Sequence, residues 1–579
     1  MGSGILALRF ALWTVAVALG GLQASAHPYR LSSDDAISYL DVADAYLRHD
    51  WTSVLNGYWS PLYSSLLAFA KWVSHAGSPE ELLLFRVLNF AIYLAAIASF
   101  DFFLRRVMAA HERVVARGSL AGLETDHAFV PVPRWIWITT GYLLFLWSTL
   151  IWINLRSDTP DLCTTALVYV AAGVLLGTRG APLSLWRGLA FGAIVGLACL
   201  SKTAMFVIAP ALLVAGGLVG GDRRRAPTRI GTALLGAALV AGPFVAALST
   251  SRGRLTFGDT GRLNYTWLVN PGSYIVPDQH WQGWPPQFGA PRHASRLVWA
   301  RPAAFEFAQP VRGTFPPWGD PSYWYEGLNL RFDAAKQWST VQVNARFYWS
   351  LFVELLVLFY VALLAGGGAW RSAKAAVTEQ WALLLPAFTG LAVYLVATNL
   401  AVSNIRTQPS TRYVASFIVL VFAAAVAGIR LTDSRRPRVT LWAMTAAALL
   451  LGGSGLARLT ASELHAVLGP ADDPSWKKVA ASMCDLDVQP GDAVAIVGDK
   501  REHEVWARVA QVRIVAQVPD SRSFLRTDPA LQADVRRALA RTGAKALVFK
   551  PRAGGASGGP GADWTSIADT SYYAVALTR

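Results

Sequence analysis

The side chains best suited to chemistry in this chain are a few charged residues at the edges of long apolar stretches. Asp34 and Asp35 stand directly after the first of these. Two adjacent carboxylates can take a proton from an acceptor hydroxyl or hold a divalent cation. The same pair also suits an ordinary helix start, with Ser33 as cap and the carboxylates at the positive end of the helix dipole. A helix beginning near Asp34 puts Asp34, Ser38 and Asp41 on one face, since the stretch makes roughly two turns. For Asp41 a solvated polar face is the plainer account. Lys202 lies between two apolar stretches, where an ammonium can pair with a phosphate or snorkel as a simple anchor. Arg406, Arg412 and Tyr413 fall in TNLAVSNIRTQPSTRYV. A guanidinium reads phosphate with two N–H groups, and Arg and Tyr are also common interfacial anchors. Arg156 and Asp158, after the third apolar stretch, suit either an interfacial ion pair or a substrate contact.

Aromatic side chains crowd one long polar segment, 250–345. It carries Trp267, Trp281, Trp284, Trp299, Trp318, Trp324 and Trp338, and the runs GDTGRLNYTW and PPWGDPSYWYEG. Aromatic faces stack on sugar rings or headgroups, and a Trp-rich segment also serves as an interfacial belt. His280 and His293 lie here without H-x-x-H or HExxH spacing, so these histidines give metal binding little support. Cys163, Cys199 and Cys484 form neither a zinc spacing nor a disulfide framework. Gly491 and Gly498 flank a strand in the tail, but no G-x-G-x-x-G is present and a nucleotide site has no support.

These residues must be positioned by membrane spans. Of 579 residues, 54% are hydrophobic and 15% charged, and the mean hydropathy is +0.35. Soluble chains carry about 25% charged residues. Apolar runs of spanning length occupy roughly 5–26, 80–104, 135–153, 160–178, 183–201, 203–221, 230–249, 346–369, 380–400, 411–430 and 437–458. The fold class expected is therefore a multi-pass α-helical membrane protein of about eleven spans. Arg9 before an apolar stretch and Ala24-Ser25-Ala26 also resemble a cleaved signal peptide; an uncleaved first span is preferred, because the count below needs it.

The formal charge of +15 does not point to nucleic acid, because its basic residues sit in short loops. Arg105, Arg106, Arg113, Arg117 and Arg134 occupy 105–134. Arg179 and Arg187 flank 179–187, four arginines fall in 222–229, Arg371 and Lys374 in 371–374, and four arginines in 430–438. Eleven single crossings put all five on one side, the cytoplasmic side by the positive-inside rule. The N-terminus is then cytoplasmic, in the cell inner (plasma) membrane. Segments 27–79, 250–345 and 459–579 are extracytoplasmic. Within the first, residues 40–49 alternate as an amphipathic helix suited to a membrane surface. The domains expected are a membrane domain, 1–458, including the outer loops 27–79 and 250–345, and an α/β domain, 459–579. The latter has strands at 493–497, 512–518, 546–549 and 572–577, a helix at 528–541 and a flexible loop at 553–562.

Taken together, the motifs resemble those of the GT-C superfamily of integral membrane glycosyltransferases. The likeness is greatest to the bacterial branch related to protein O-mannosyltransferases and lipid A aminoarabinose transferases. It rests on the acidic pair after the first span and on YWSPLYSSLLAFA at 58–70. It rests also on the lysine between two spans in LSKTAMFVIAP and on Arg412-Tyr413 at the start of a late span. It covers roughly 30–220 and 400–430. The resemblance implies transfer of a sugar from a polyprenyl-phosphate donor to an extracytoplasmic acceptor (lipid, glycan or protein), with inversion at the anomeric carbon. Asp34 would be the base, with Asp35 beside it, and a divalent cation is compatible with the pair. Lys202 and Arg412, with Arg406 and Tyr413, would hold the lipid phosphate. Asp41, Tyr63, Arg156, Asp158 and Arg262 are weaker candidates for sugar or acceptor contacts. The chain departs from the family pattern at Asp35, commonly Glu, and at Thr203-Ala204, often Gly-Pro.

Two other functions fit the bare residues less well. A transporter calls for polar or broken helices near the bilayer midplane and often two related halves, whereas here the ionisable residues sit mainly at span ends. A non-catalytic scaffold or assembly protein of the cell envelope would need only the outer segments.

Overall fold

The computed structural model describes residues 2–31, 35–121, 129–179, 184–269, 295–315, 330, 332–365, 368–401, 410–432, 435–469, 474–551 and 560–577. By packing, the chain forms two compact units. One comprises Met1–Ala26, Arg86–Phe257 and Phe332–Pro470, the other His27–Phe85, Gly258–Arg331 and Ala471–Arg579.

The first unit is helical. Each of the eleven apolar runs coincides with a helix or a bent helix pair, so the chain is a multi-pass α-helical membrane protein. Six helices are long and apolar enough to cross a membrane. A seventh counts if the pair Ala369–Glu379 and Trp381–Ala397, bent by 83°, is one span. The amphipathic Ala369–Glu379 had read as a loop, because Arg371 and Lys374 interrupt its apolar pattern. The helix Glu81–Ala121 likewise runs on past its apolar part, so Arg105, Arg106 and Arg113 are helical rather than in a loop. Four further apolar helices are shorter: Asp161–Gly177, Leu185–Ser201, Met205–Leu218 and Ala415–Ala427. At 13 to 17 residues they measure about 20–26 Å against a hydrocarbon core of ~30 Å.

Within this unit the basic segments meet at one end. Phe129–Val130 pairs antiparallel with Leu431–Thr432. Arg430 donates to the Glu379 carboxylate and Arg179 to the Glu379 backbone carbonyl. His111 joins the same region, its ring contacting the Ala427 carbonyl at 2.9 Å and the Val132 N–H at 3.2 Å. Helices Leu185–Ser201 and Ala226–Arg252 lie closely back to back. A methyl at Gly192 would overlap the Ala233 carbonyl, and one at Gly236 the Leu189 carbonyl. Such pairs associate by shape, because lipid tails give helices no hydrophobic reason to meet.

The second unit is built on a seven-stranded sheet. Ala493–Val497 pairs parallel with Arg513–Val518 on one side and Ala546–Phe549 on the other. Tyr573–Ala576 and Thr565–Ser566 extend it antiparallel. The strands and the helix Pro529–Ala540 lie where the tail sequence put them; most of 553–562 lies outside the described residues. The sheet also takes two strands from much earlier in the chain, Arg296–Trp299 and Ala304–Glu306, the latter pairing with Arg513–Val518. Trp506, Phe307, Phe315 and Phe524 are fully buried in a common core. The aromatic segment therefore contributes to the same body as the tail.

Candidate functional site

Charged side chains stand at or near one end of each of the four short helices. Asp161 opens one, Ser201-Lys202 closes the second and precedes the third, and Arg412 stands in the 3-10 turn Ser410–Tyr413 before the fourth.

The cluster is built around the Asp161 carboxylate, which is nearly buried. Lys202 Nζ donates to its Oδ1. Arg412 Nε lies 3.3 Å from its Oδ2, and Thr159 Oγ1 donates to the same oxygen at 2.8 Å. Arg412 also donates to the Tyr413 hydroxyl at 2.9 Å. Lys202 Nζ sits 4.2 Å from the Tyr413 ring centroid and 5.9 Å from that of Tyr394. The two rings stack at 5.4 Å, 5° from parallel. Aromatic faces attract cations through the ring quadrupole. Two cations against one carboxylate leave these three side chains with a charge of +1.

Buried side chains hold the backbone that presents Asp161. A π-helix, Trp147–Ile153, ends at Asn154, whose φ of 74° turns the chain sharply. The Asn154 side chain accepts from the Arg156 N–H at 2.8 Å. Asn89 donates to the Leu155 and Ser157 carbonyls at 2.9 and 2.8 Å, and Gln23 accepts from the Leu155 N–H at 2.9 Å. Arg86 bonds the Arg156 carbonyl at 2.8 Å and pairs with Asp158 at 3.0 Å. On the other side, Asn344 donates to the carbonyls of Tyr394, Leu395 and Thr398 and accepts from the Leu400 N–H. Thr411 donates to the Trp152 carbonyl at 2.8 Å, tying the Arg412 turn to the π-helix.

The structure thus brings Lys202, Arg412 and Tyr413 together, and adds Asp161 and Tyr394, which sequence reasoning did not single out. Asp158 and Arg156 flank the loop leading to Asp161, with Arg156 3.3 Å from Glu463. Asp34 and Arg406 lie outside the described residues, as do His280, His293, Trp281, Trp284, Trp318 and Trp324. The remaining candidates are in the second unit. Asp35 begins the helix Asp35–Leu47. Tyr63 is fully buried against Tyr39, ring centroids 5.0 Å apart. Arg262 is 3.8 Å from Asp259.

Asp41 takes part in a buried network. Arg508 bonds Asp41 at 2.9 Å, Asp44 at 2.6 Å and both oxygens of Glu81 at 2.7 Å, while Lys71 joins Asp44 and Glu81. Asp41 and Asp44, from the polar face that had suggested a helix on a membrane surface, are packed inside this unit instead, while Arg48 and His49 are exposed. Sequence periodicity cannot register that their partner comes from the tail. Burial raises the Asp41 carboxyl above its ordinary range despite Arg508 and the Thr314 N–H. For Asp44, burial is outweighed by Arg508 and Lys71, which hold it low. Among the described residues, no group of three or more His, Cys, Asp or Glu is placed to hold a metal ion.

No family model and no curated protein matches the chain. Among solved structures it is similar to ArnT from Cupriavidus metallidurans bound to undecaprenyl phosphate. The identity is 12%, over 100% of this chain and 99% of that one, with a TM-score of 0.49. It is also similar to the Archaeoglobus fulgidus oligosaccharyltransferase tethered with an acceptor peptide, at 12% identity over 93% of this chain and 68% of that one, with a TM-score of 0.43. Both of those proteins are GT-C superfamily members.

Proposed function

We propose that this protein transfers a sugar from a polyprenyl-phosphate donor to an extracytoplasmic acceptor. The observation that carries the reading is the convergence of Lys202 and Arg412 on a nearly buried carboxylate beside two stacked tyrosines. In the transfer, the bond from the anomeric carbon to the phosphate oxygen breaks. A bond to the acceptor oxygen forms, and the acceptor proton passes to a carboxylate base. The phosphodiester donor carries one negative charge, and the phosphomonoester left on the lipid tends towards two. Cations fixed in place before reaction favour the product-like charge over the ground state, which is what lowers a barrier. Asp161 holds both cations until phosphate shares them, and its single charge leaves a net attraction for the anion. Asp34 is the proposed base, with Asp35 supporting it, by position after the first span and by motif resemblance.

Binding of the lipid product tests this directly, with the full chain in nanodiscs. Polyprenyl phosphate is expected to bind, the uncharged polyprenol to bind at least tenfold more weakly, and Lys202→Gln and Arg412→Gln to remove that difference. Arg435→Gln, at an exposed position, should leave it unchanged. Equal binding of phosphate and alcohol by the wild-type chain would overturn the reading.

A further inference from the structure

A second charged recess lies in the helical unit, at the end where the basic segments meet. It is a cavity of about 320 Å³ between the first helix, Gly2–Ser25, and the helices Glu81–Ala121 and Arg134–Leu146. Five charged side chains line it: Arg9, Arg105, Arg134, Asp101 and Glu112. Asp101 receives Arg9, Arg105 at 3.1 Å and the Tyr142 hydroxyl at 3.0 Å, so two guanidinium groups share one carboxylate. Arg134 meets Glu112 with two bonds, of 2.7 and 3.0 Å. The five charges sum to +1, and the side chains of Arg105 and Arg134 are 57% and 62% exposed. The remaining lining is apolar. It includes Leu6, 67% exposed, and one turn along the same helix Phe10 is 74% exposed. The recess therefore opens onto a surface that hydrocarbon covers well.

We propose that this cavity binds the phosphate-bearing headgroup of an anionic glycerophospholipid, with Arg105 and Arg134 on the phosphate and the acyl chains along Leu6 and Phe10. Three features fit that one occupant. The excess charge is positive, and Arg105 can turn toward an anion because Arg9 stays on the buried Asp101. Exposed apolar side chains, Leu6 and Phe10, accompany the exposed arginines, which suits an amphiphile and not a free ion. Basic pockets between spans on the positively charged side of a membrane protein are where anionic headgroups bind. The site is separate from the Asp161 cluster and does not depend on the transferase reading.

The test uses the full chain in a neutral detergent, titrated with fluorescent phosphatidylglycerol and with fluorescent phosphatidylcholine. Phosphatidylglycerol should bind at least fivefold more tightly, and Arg105→Gln should abolish the preference. Glu112→Gln raises the local charge and should strengthen it, an opposite change within the same cavity that general unfolding would not produce. Arg435→Gln should leave it unaltered. Equal affinity for the two lipids, or Arg105→Gln and Glu112→Gln both behaving as wild type, would overturn the proposal. Displacement of the lipid by glycerol phosphate at matching concentration would make the ligand a soluble phosphate and overturn it equally.

Discussion

Asp34→Asn is the sharpest residue-level test of the proposed mechanism, because asparagine caps a helix about as well as aspartate but accepts no proton. If Asp34 is the base, turnover with a polyprenyl-phosphate sugar should fall by ~10²- to 10⁴-fold with an unchanged thermal melt. Asp35→Asn should lose less. Wild-type turnover in Asp34→Asn would remove Asp34 from the mechanism. A second residue sets a pH dependence. His503 is fully buried, with Trp506 Nε1 donating to its Nδ1 at 3.2 Å, and burial pushes its pKa down to about 3. The unfolded imidazole takes up a proton near pH 6.5. Protons therefore bind the unfolded chain first, and the stability contributed above pH 6.5 is lost as pH falls towards 3. Protection of Arg513–Val518 against hydrogen exchange, taken relative to the intrinsic rate at each pH, should fall over that window, and His503→Gln should flatten the trend. An identical slope in the variant would refute the assignment.

At the scale of elements, Arg508 joins carboxylates from two earlier helices, Asp35–Leu47 and Glu81–Ala121. Arg508→Met would leave Asp44 and Glu81 with Lys71 as their cation and Asp41 with Thr314 alone; removing one partner of a buried ion pair typically costs about 3–5 kcal/mol. Exchange protection of Asp35–Leu47 should drop sharply, and Arg508→Lys should recover only part of it, since an ammonium lacks the planar fork. Full protection in Arg508→Met would show that the network carries little weight. The elements themselves were largely legible in the sequence. The spans announced themselves by length and hydropathy, and the tail strands by β-branched runs between turn residues. What stayed hidden was pairing across distance. Asp161 reads as a carboxylate that suits a helix dipole after Pro160, and gains its meaning only from Lys202 and Arg412. Arg508 looks like one more surface arginine on a short helix. Asp41 looks like part of a wet face for the same reason.

For the whole molecule, the orientation read from the arginines is a proposal, supported by the meeting of 129–130, 179, 379 and 430–432 at one end of the helical unit. Fusions test it. A reporter active only outside the cytoplasm should fail at residue 225 and work at residue 470, and the reverse at either position would sink the orientation.

The Arg508 network also sets a timetable. Arg508 lies 467 positions after Asp41 and 427 after Glu81, and the strand Ala304–Glu306 likewise waits for Arg513–Val518. At roughly 5–20 residues per second, the ribosome takes on the order of 20–90 s to go from Glu81 to Arg508. Throughout that interval the three carboxylates wait for their guanidinium, and once residue 306 is made the strand edge waits with them. A chain that stalls before Arg508 emerges lacks the guanidinium that joins these three carboxylates, so the surroundings of the helix Asp35–Leu47 are completed long after the helix itself is made.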